Sequence, residues 1–412
     1  MKNLRLVSRS LIGIVFIFSG FVKGIDPYGS TYKFIDYFEA FNLSFFDPIA
    51  LPLALFLSTS ELLIGICLFI GIRMKETSWA LLIFMVFFTI LTLVIAITNP
   101  VTDCGCFGDA LILSNWQTFF KNIFFMGLTL IVFFGRKSYP QLLKSPLEWS
   151  ITGLVIVLIL SISIYCINHL PFLDFRPYNI GTYIPEKMEI PENAPMDEYT
   201  IKLFYQKDGI EQEFPLENLP DSTWEFVRNE STLIKQGYVP PIHDFTIDDP
   251  ETGEDIADII LNNSNYTFAA IYYDLDKSCF KNQNKLNELA TFCQLNEYEF
   301  IGLTSSLSDQ IENYKIEYNI PFKFYNTDEI TLKTIIRANP GLILLKEGVV
   351  INKWHSNDIP EINIFENNIL ANSIDSLNNK KESRIILLYI SIFFLAITLF
   401  NTIKPYIQKL KK

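Results

Sequence analysis

Charged residues are scarce in this 412-residue chain: they make up 19%, against about 25% in an ordinary soluble domain. Half of all residues are hydrophobic and the mean hydropathy is +0.25, which excludes a single compact soluble globule. Histidine occurs three times and cysteine six, too few for a disulfide scaffold or a series of metal sites. The net charge of −12 offers no basic face to displace counterions from phosphate, which excludes a nucleic-acid binder. No repeat of roughly 20–50 residues and no low-complexity tract is visible.

What is present is unevenly placed. Six apolar runs approach the roughly 20 residues that a membrane-spanning helix needs: Leu4–Val22, Ile49–Ile70, Ser78–Thr98, Trp116–Phe134, Trp149–Leu170 and Ile385–Phe400. Lys2, Arg5 and Arg9 before the first run also suit a secretory signal. No small-x-small cleavage site follows in FSGFVKGIDP, so an uncleaved helix is expected. With the N-terminus inside, Lys2, Arg5, Arg9, Arg73, Lys75, Arg136, Lys137, Lys144, Lys404, Lys409, Lys411 and Lys412 all fall on the inner side, as the positive-inside rule requires. The outer short segments hold only Lys23, Lys33 and, near a helix end, Lys121, while Lys380, Lys381 and Arg384 weaken the bias slightly. This predicts a multi-pass protein of a cytoplasmic membrane with both termini inside and residues 171–383 outside. That outer block carries −19 and its flanks +7.

The outer block reads as an extended linker with a small β segment over 171–240, then an α/β domain over 241–383. Strands are expected at Tyr199–Tyr205 and Ile210–Phe214, with a turn at Lys207-Asp208-Gly209. Strands at Tyr266–Tyr273, Tyr298–Thr304 and Phe322–Phe324 alternate with helices at Cys279–Leu295, Ser306–Tyr318 and Ile330–Ala338. A hairpin, Leu342–Leu345 with Val349–Trp354, closes the pattern. IYYDLDKSC occupies the strand-to-helix corner where a thioredoxin fold keeps Cys-x-x-C, and Pro340 stands where that fold places a cis-proline. Here the first position is Asp276 and only Cys279 is a cysteine, so the domain reads as a degenerate thioredoxin-like one. Cys279 is either an acidified thiol or a remnant in a binding domain; Cys293, on the same helix, is too distant to pair with it.

Two signals carry the chemistry. Cys104-Gly105-Cys106 lies in an outer loop, where two thiols around one glycine can close a strained, reducible disulfide ring. Asp103 and Asp109 are expected to raise the thiol pKa values and slow attack. The pair is alternatively a structural clip or, with His169, half of a metal site, although no complete ligand set exists. Glu61 falls near the middle of the second span, so it must be protonated, paired or hydrogen-bonded, with Ser58, Ser60 and Lys23 as candidates. Cys67 and Cys166 read as small core residues, and His243 and His355 as surface or core residues.

FIFSGFVKGIDP, SELLIGICLFIG and NPVTDCGCFGDALILSNWQTFFKN, within residues 1–135, resemble the DoxX-like membrane family, in particular its MauE (methylamine-utilisation) branch. The whole layout resembles DoxX/thioredoxin-like fusion proteins of Bacteroidetes-type bacteria. The resemblance implies a four-helix module with two further helices, 149–170 and 385–403, and an external thioredoxin-like domain in the bacterial inner membrane. It implies a redox role for Cys104 and Cys106, family-level importance for Lys23 and Glu61, and a quinone as the acceptor of thiol electrons; no cofactor motif is otherwise evident. The expected activity is thiol–disulfide redox or maturation work on periplasmic proteins with thiols or disulfides. The alternative is a non-enzymatic membrane scaffold with a clipped loop and a binding domain.

Overall fold

The computed structural model describes residues 2–101, 103–139, 144–215, 218–235, 237–365, 368–375 and 377. The expected sixth span, 385–403, and the end of the outer block lie outside the described residues. Within them, five helices are long and apolar enough to cross a membrane.

α1 (Lys2–Ile25) opens the bundle. α2 (Pro27–Ala40) follows with no expectation from hydropathy; Asp26 caps it through Gly29 N–H and Pro27 stands in its first turn. Next come α3 (Ala50–Ile70), α4 (Met74–Thr98), α5 (Asn115–Gly135) and α6 (Ser145–Asn168). Apolar association inside lipid gains little from water exclusion, so helices pack by close contact of small residues. α1 and α3 do this through glycine. A Cβ on Gly20 would sit 2.5 Å from the backbone nitrogen of Leu62, and one on Gly65 2.6 Å from that of Ile17. α4 and α5 complete the core around Ile12, Leu68, Leu81 and Val132.

After α6 the chain folds into an α/β body. A short helix, α7 (Ile184–Met188), precedes an antiparallel sheet of β1 (Glu198–Lys207), β2 (Ile210–Pro215) and β3 (Glu225–Lys235), ordered β2-β1-β3. β3 is an addition to the expected hairpin. The expectation of an extended linker needs correction: Gly181 and Ile184 donate backbone hydrogen bonds to Val350 and Gly348, and Tyr178 and Ile184 are buried in the domain core.

α8 (Ala257–Leu261), β4 (Tyr266–Tyr272), α9 (Gln283–Leu295), β5 (Glu299–Thr304), α10 (Ser308–Tyr318), β6 (Lys323–Asn326), α11 (Glu329–Ile335), β7 (Gly341–Lys346) and β8 (Val349–His355) form the second body. Its five-stranded sheet runs β6-β5-β4-β7-β8, with β4, β5 and β6 parallel and β7 and β8 antiparallel. β4 is buried on both faces: Phe268, Ala270 and Tyr272 meet Leu286 and Tyr314, while Ala269 and Ile271 meet Leu332 and Ile335.

The close α1–α3 crossing yields a direct contrast. Gly20→Leu should destabilise the bundle by about 1–3 kcal/mol through overpacking, seen as a lower unfolding temperature in detergent. Gly127→Ala, whose added Cβ meets nothing within 4 Å, should leave that temperature unchanged or raise it slightly.

Candidate functional site

The loop from Asn99 to Ser114 is pinned at its base by side chains that flank it. Asn115 Nδ2 donates to Asn99 Oδ1 and to the Val101 carbonyl, each at 2.8 Å. Ser114 then starts α5 with a capping box completed by Gln117. Within the loop, Asp103 accepts the Gly105 N–H at 2.8 Å. Gly105 takes φ +62°, and a side chain there would press to 3.1 Å on Lys33 of α2.

This turn brings Cys104 Sγ and Cys106 Sγ to 3.5 Å, unbonded and sharing one S–H···S hydrogen bond. The two thiols consequently differ. Hydrogen bonding to Cys104 pulls the Cys106 thiol down to about 6 against the effect of burial, with help from the ammonium groups of Lys121 and Lys23. The same hydrogen bond, together with burial, holds Cys104 far above the usual thiol range. The expectation that Asp103 and Asp109 suppress the pair therefore needs correction for Cys106. Both carboxylates are engaged elsewhere, Asp103 with Lys33 Nζ at 2.7 Å and Asp109 with Arg337 Nη2 at 2.9 Å.

Beneath the loop lies a buried polar cluster. Lys23 Nζ stands 2.8 Å from both oxygens of Glu61 and 3.0 Å from Ser19 Oγ. The Ser19 hydroxyl is 2.8 Å from Glu61 and 2.7 Å from the Cys106 carbonyl, so two acceptors compete for its one proton. Of the candidate partners for Glu61, Lys23 is the one found; Ser58 bonds the Leu55 carbonyl instead. Ser19 was not anticipated, although it lies one turn before Lys23 on the same helix.

α2 and the second body close the site from above. Tyr37 donates to the Cys104 carbonyl at 2.9 Å. Tyr32 meets Tyr273 edge-on at 6.4 Å. The buried Arg337 guanidinium reaches both Asp26 oxygens through Nε at 3.1 Å and Asp109 through Nη2. Burial alone would loosen its proton, but Asp26 and Asp109 more than reverse that. A cleft of about 30 Å³ remains between the bundle and the segment that follows α6, lined by Lys23, Lys33, Asp109, Asp174 and Arg176 among others.

Cys279 is exposed on the second body, away from any second cysteine of its corner. Its N–H donates to the Asn339 carbonyl at 2.8 Å, and the Asn339–Pro340 bond is cis. Asp276, at the other corner position, accepts from Gln310. His169 is not joined to the thiols; its Nδ1 lies 2.8 Å from Asp358. His243 is exposed, and burial pushes His355 down to about 4. Cys67, Cys166 and Cys293 are buried. Among the described residues no group of three His, Cys, Asp or Glu could hold a metal ion.

Comparison with protein families places this geometry in context. Residues 1–135 match the family described as methylamine utilisation protein MauE, which makes them a MauE-like membrane domain with several spanning helices. Residues 199–236, the three-stranded sheet, match a domain of unknown function (DUF8463). No curated protein matches the chain.

Two outcomes follow. Alkylation of Cys106, followed by peptide mass spectrometry, should rise with a midpoint near pH 6, because the thiolate is the reacting form and is lost below that pH. Lys23→Met should destabilise the bundle by about 3–5 kcal/mol by stranding a buried carboxylate, while Lys23→Met with Glu61→Leu should cost distinctly less in the same denaturation assay.

Proposed function

We propose that this chain is an integral inner-membrane thiol–disulfide exchange factor that acts on periplasmic proteins. The observation that carries the reading is the Cys104–Cys106 pair itself: two unbonded thiols 3.5 Å apart in one loop, with the ammonium groups of Lys121 and Lys23 favouring the ionised form of Cys106. The lysine and arginine bias supports placing this loop, with the second body, on the outer side, where disulfides persist. The parallel β4-β5-β6 core with its antiparallel hairpin, and Cys279 at the strand-to-helix corner, support a thioredoxin-like domain that holds the client.

The chemistry balances without a cofactor. The Cys106 thiolate attacks a client disulfide; that S–S bond breaks, a Cys106–client bond forms, and the displaced sulfur leaves as thiolate. When another client thiolate displaces Cys106, the bond is reshuffled with no net change in electrons. When Cys104 resolves the intermediate, its proton passes to the departing sulfur and a second proton comes from water. The client then leaves as a dithiol, two electrons richer, and Cys104–Cys106 is left as a disulfide, which an external dithiol protein returns to the reduced form.

Cys104→Ser removes the internal resolving thiol, so mixed disulfides through Cys106 should accumulate in cells. Acid quenching, alkylation and non-reducing electrophoresis with mass spectrometry would display them. Absence of Cys106-linked species, with full function retained in a Cys104→Ser, Cys106→Ser chain, would sink the exchange reading in favour of a scaffold.

A further inference from the structure

The cations around the thiol loop can be assigned one by one. Lys23 is spent on Glu61, Lys33 on Asp103, and Arg337 on Asp26 and Asp109. Arg176 is held by Asp174, which also takes Lys353. Among the described residues, Lys121 has no carboxylate partner. It is half-buried on the second turn of α5, and its ammonium stands over the Phe107 ring, 4.5 Å from the centroid. Phe107 directly follows Cys106, so the ring that seats the ammonium belongs to the thiol loop itself. The ammonium therefore has no competing carboxylate, and from its seat beside the loop its charge favours the ionised form of Cys106.

We propose that Lys121 is a positioning residue for the exchange reaction: its ammonium, seated on Phe107, is the counter-ion for the thiolate formed at Cys106. The inference rests on the exchange reading for its biological meaning, but its chemistry does not depend on any client. The other charged and ionisable groups facing Cys106 are Cys104 on the same loop, Lys23 on α1, Glu61 on α3 and Tyr37 on α2. Lys23 and Glu61 are locked to each other, and Tyr37 donates to a carbonyl, so Lys121 supplies the uncompensated positive charge. The cation–π seat holds the ammonium in place without neutralising it.

The test is the pH dependence of Cys106 alkylation in the full chain, in detergent, with the labelled peptide identified by mass spectrometry. Lys121→Gln should move the midpoint upward by about one unit, so that the thiolate fraction at pH 6 falls about five-fold. Lys121→Arg keeps the charge and should retain the native midpoint. Phe107→Leu keeps the lysine but removes its seat, and should give a smaller upward shift. An unmoved midpoint in Lys121→Gln overturns the proposal. So does an equal shift in Lys121→Gln and Lys121→Arg, which would mean that shape rather than charge matters. Because the probe is a small alkylator, these results stand whether or not a client is trapped by Cys104→Ser.

Discussion

A lysine ammonium and a glutamate carboxylate lie side by side inside an apolar helix bundle, and neither tolerates that position without the other. Desolvating both is expensive, and only 2.8 Å contacts with further hydrogen bonds offset the cost. The pair demands that α1 and α3 approach closely, which Gly20 and Gly65 permit. It also demands a further polar group, and Ser19 answers by touching both Glu61 and the Cys106 carbonyl. The height and orientation of the thiol loop are thus tied to an ion pair inside the bundle.

Much of this architecture was legible because it is written locally. Hydropathy over about 20 residues marks a span, and alternating strands and helices mark an α/β body. Glu61 announced itself as an ion in an apolar run. α2 was not read, although Asp26-Pro27 is a recognisable helix start, because the helix is neither apolar enough for a span nor strongly patterned. β3 was missed for a related reason: Glu, Arg, Asn, Ser and Thr along it dilute the strand signal. The effect of Asp103 and Asp109 was misjudged because their cations come from outside the loop, one from α2 and one from the second body. Local sequence shows a carboxylate beside a thiol; it does not show what neutralises the carboxylate.

The uneven charge acquires a structural sense here. The second body is acidic overall, yet the surface it turns towards the thiol loop presents Arg337, with Lys333 over Tyr32 and Tyr273. The loop side answers with Asp26 and Asp109. Attraction at this contact therefore runs against the net charge of each part, which is what a specific docking surface requires. α2 lies between the two, with Asp26 at its start, Tyr32 and Lys33 in its middle and Tyr37 further on, each engaged with a different neighbour.

The Arg337 contact also has a chronology. Arg337 lies 311 residues beyond Asp26 and 228 beyond Asp109, so a ribosome has made the thiol loop long before it makes the residue that closes over it. Contacts of such separation form late, after local helices and hairpins. The newborn protein accordingly passes through a stage in which its membrane helices and cysteines exist but Asp26 and Asp109 still face water. A chain cut short anywhere before Arg337 would stay at that stage, with both carboxylates left without their guanidinium partner.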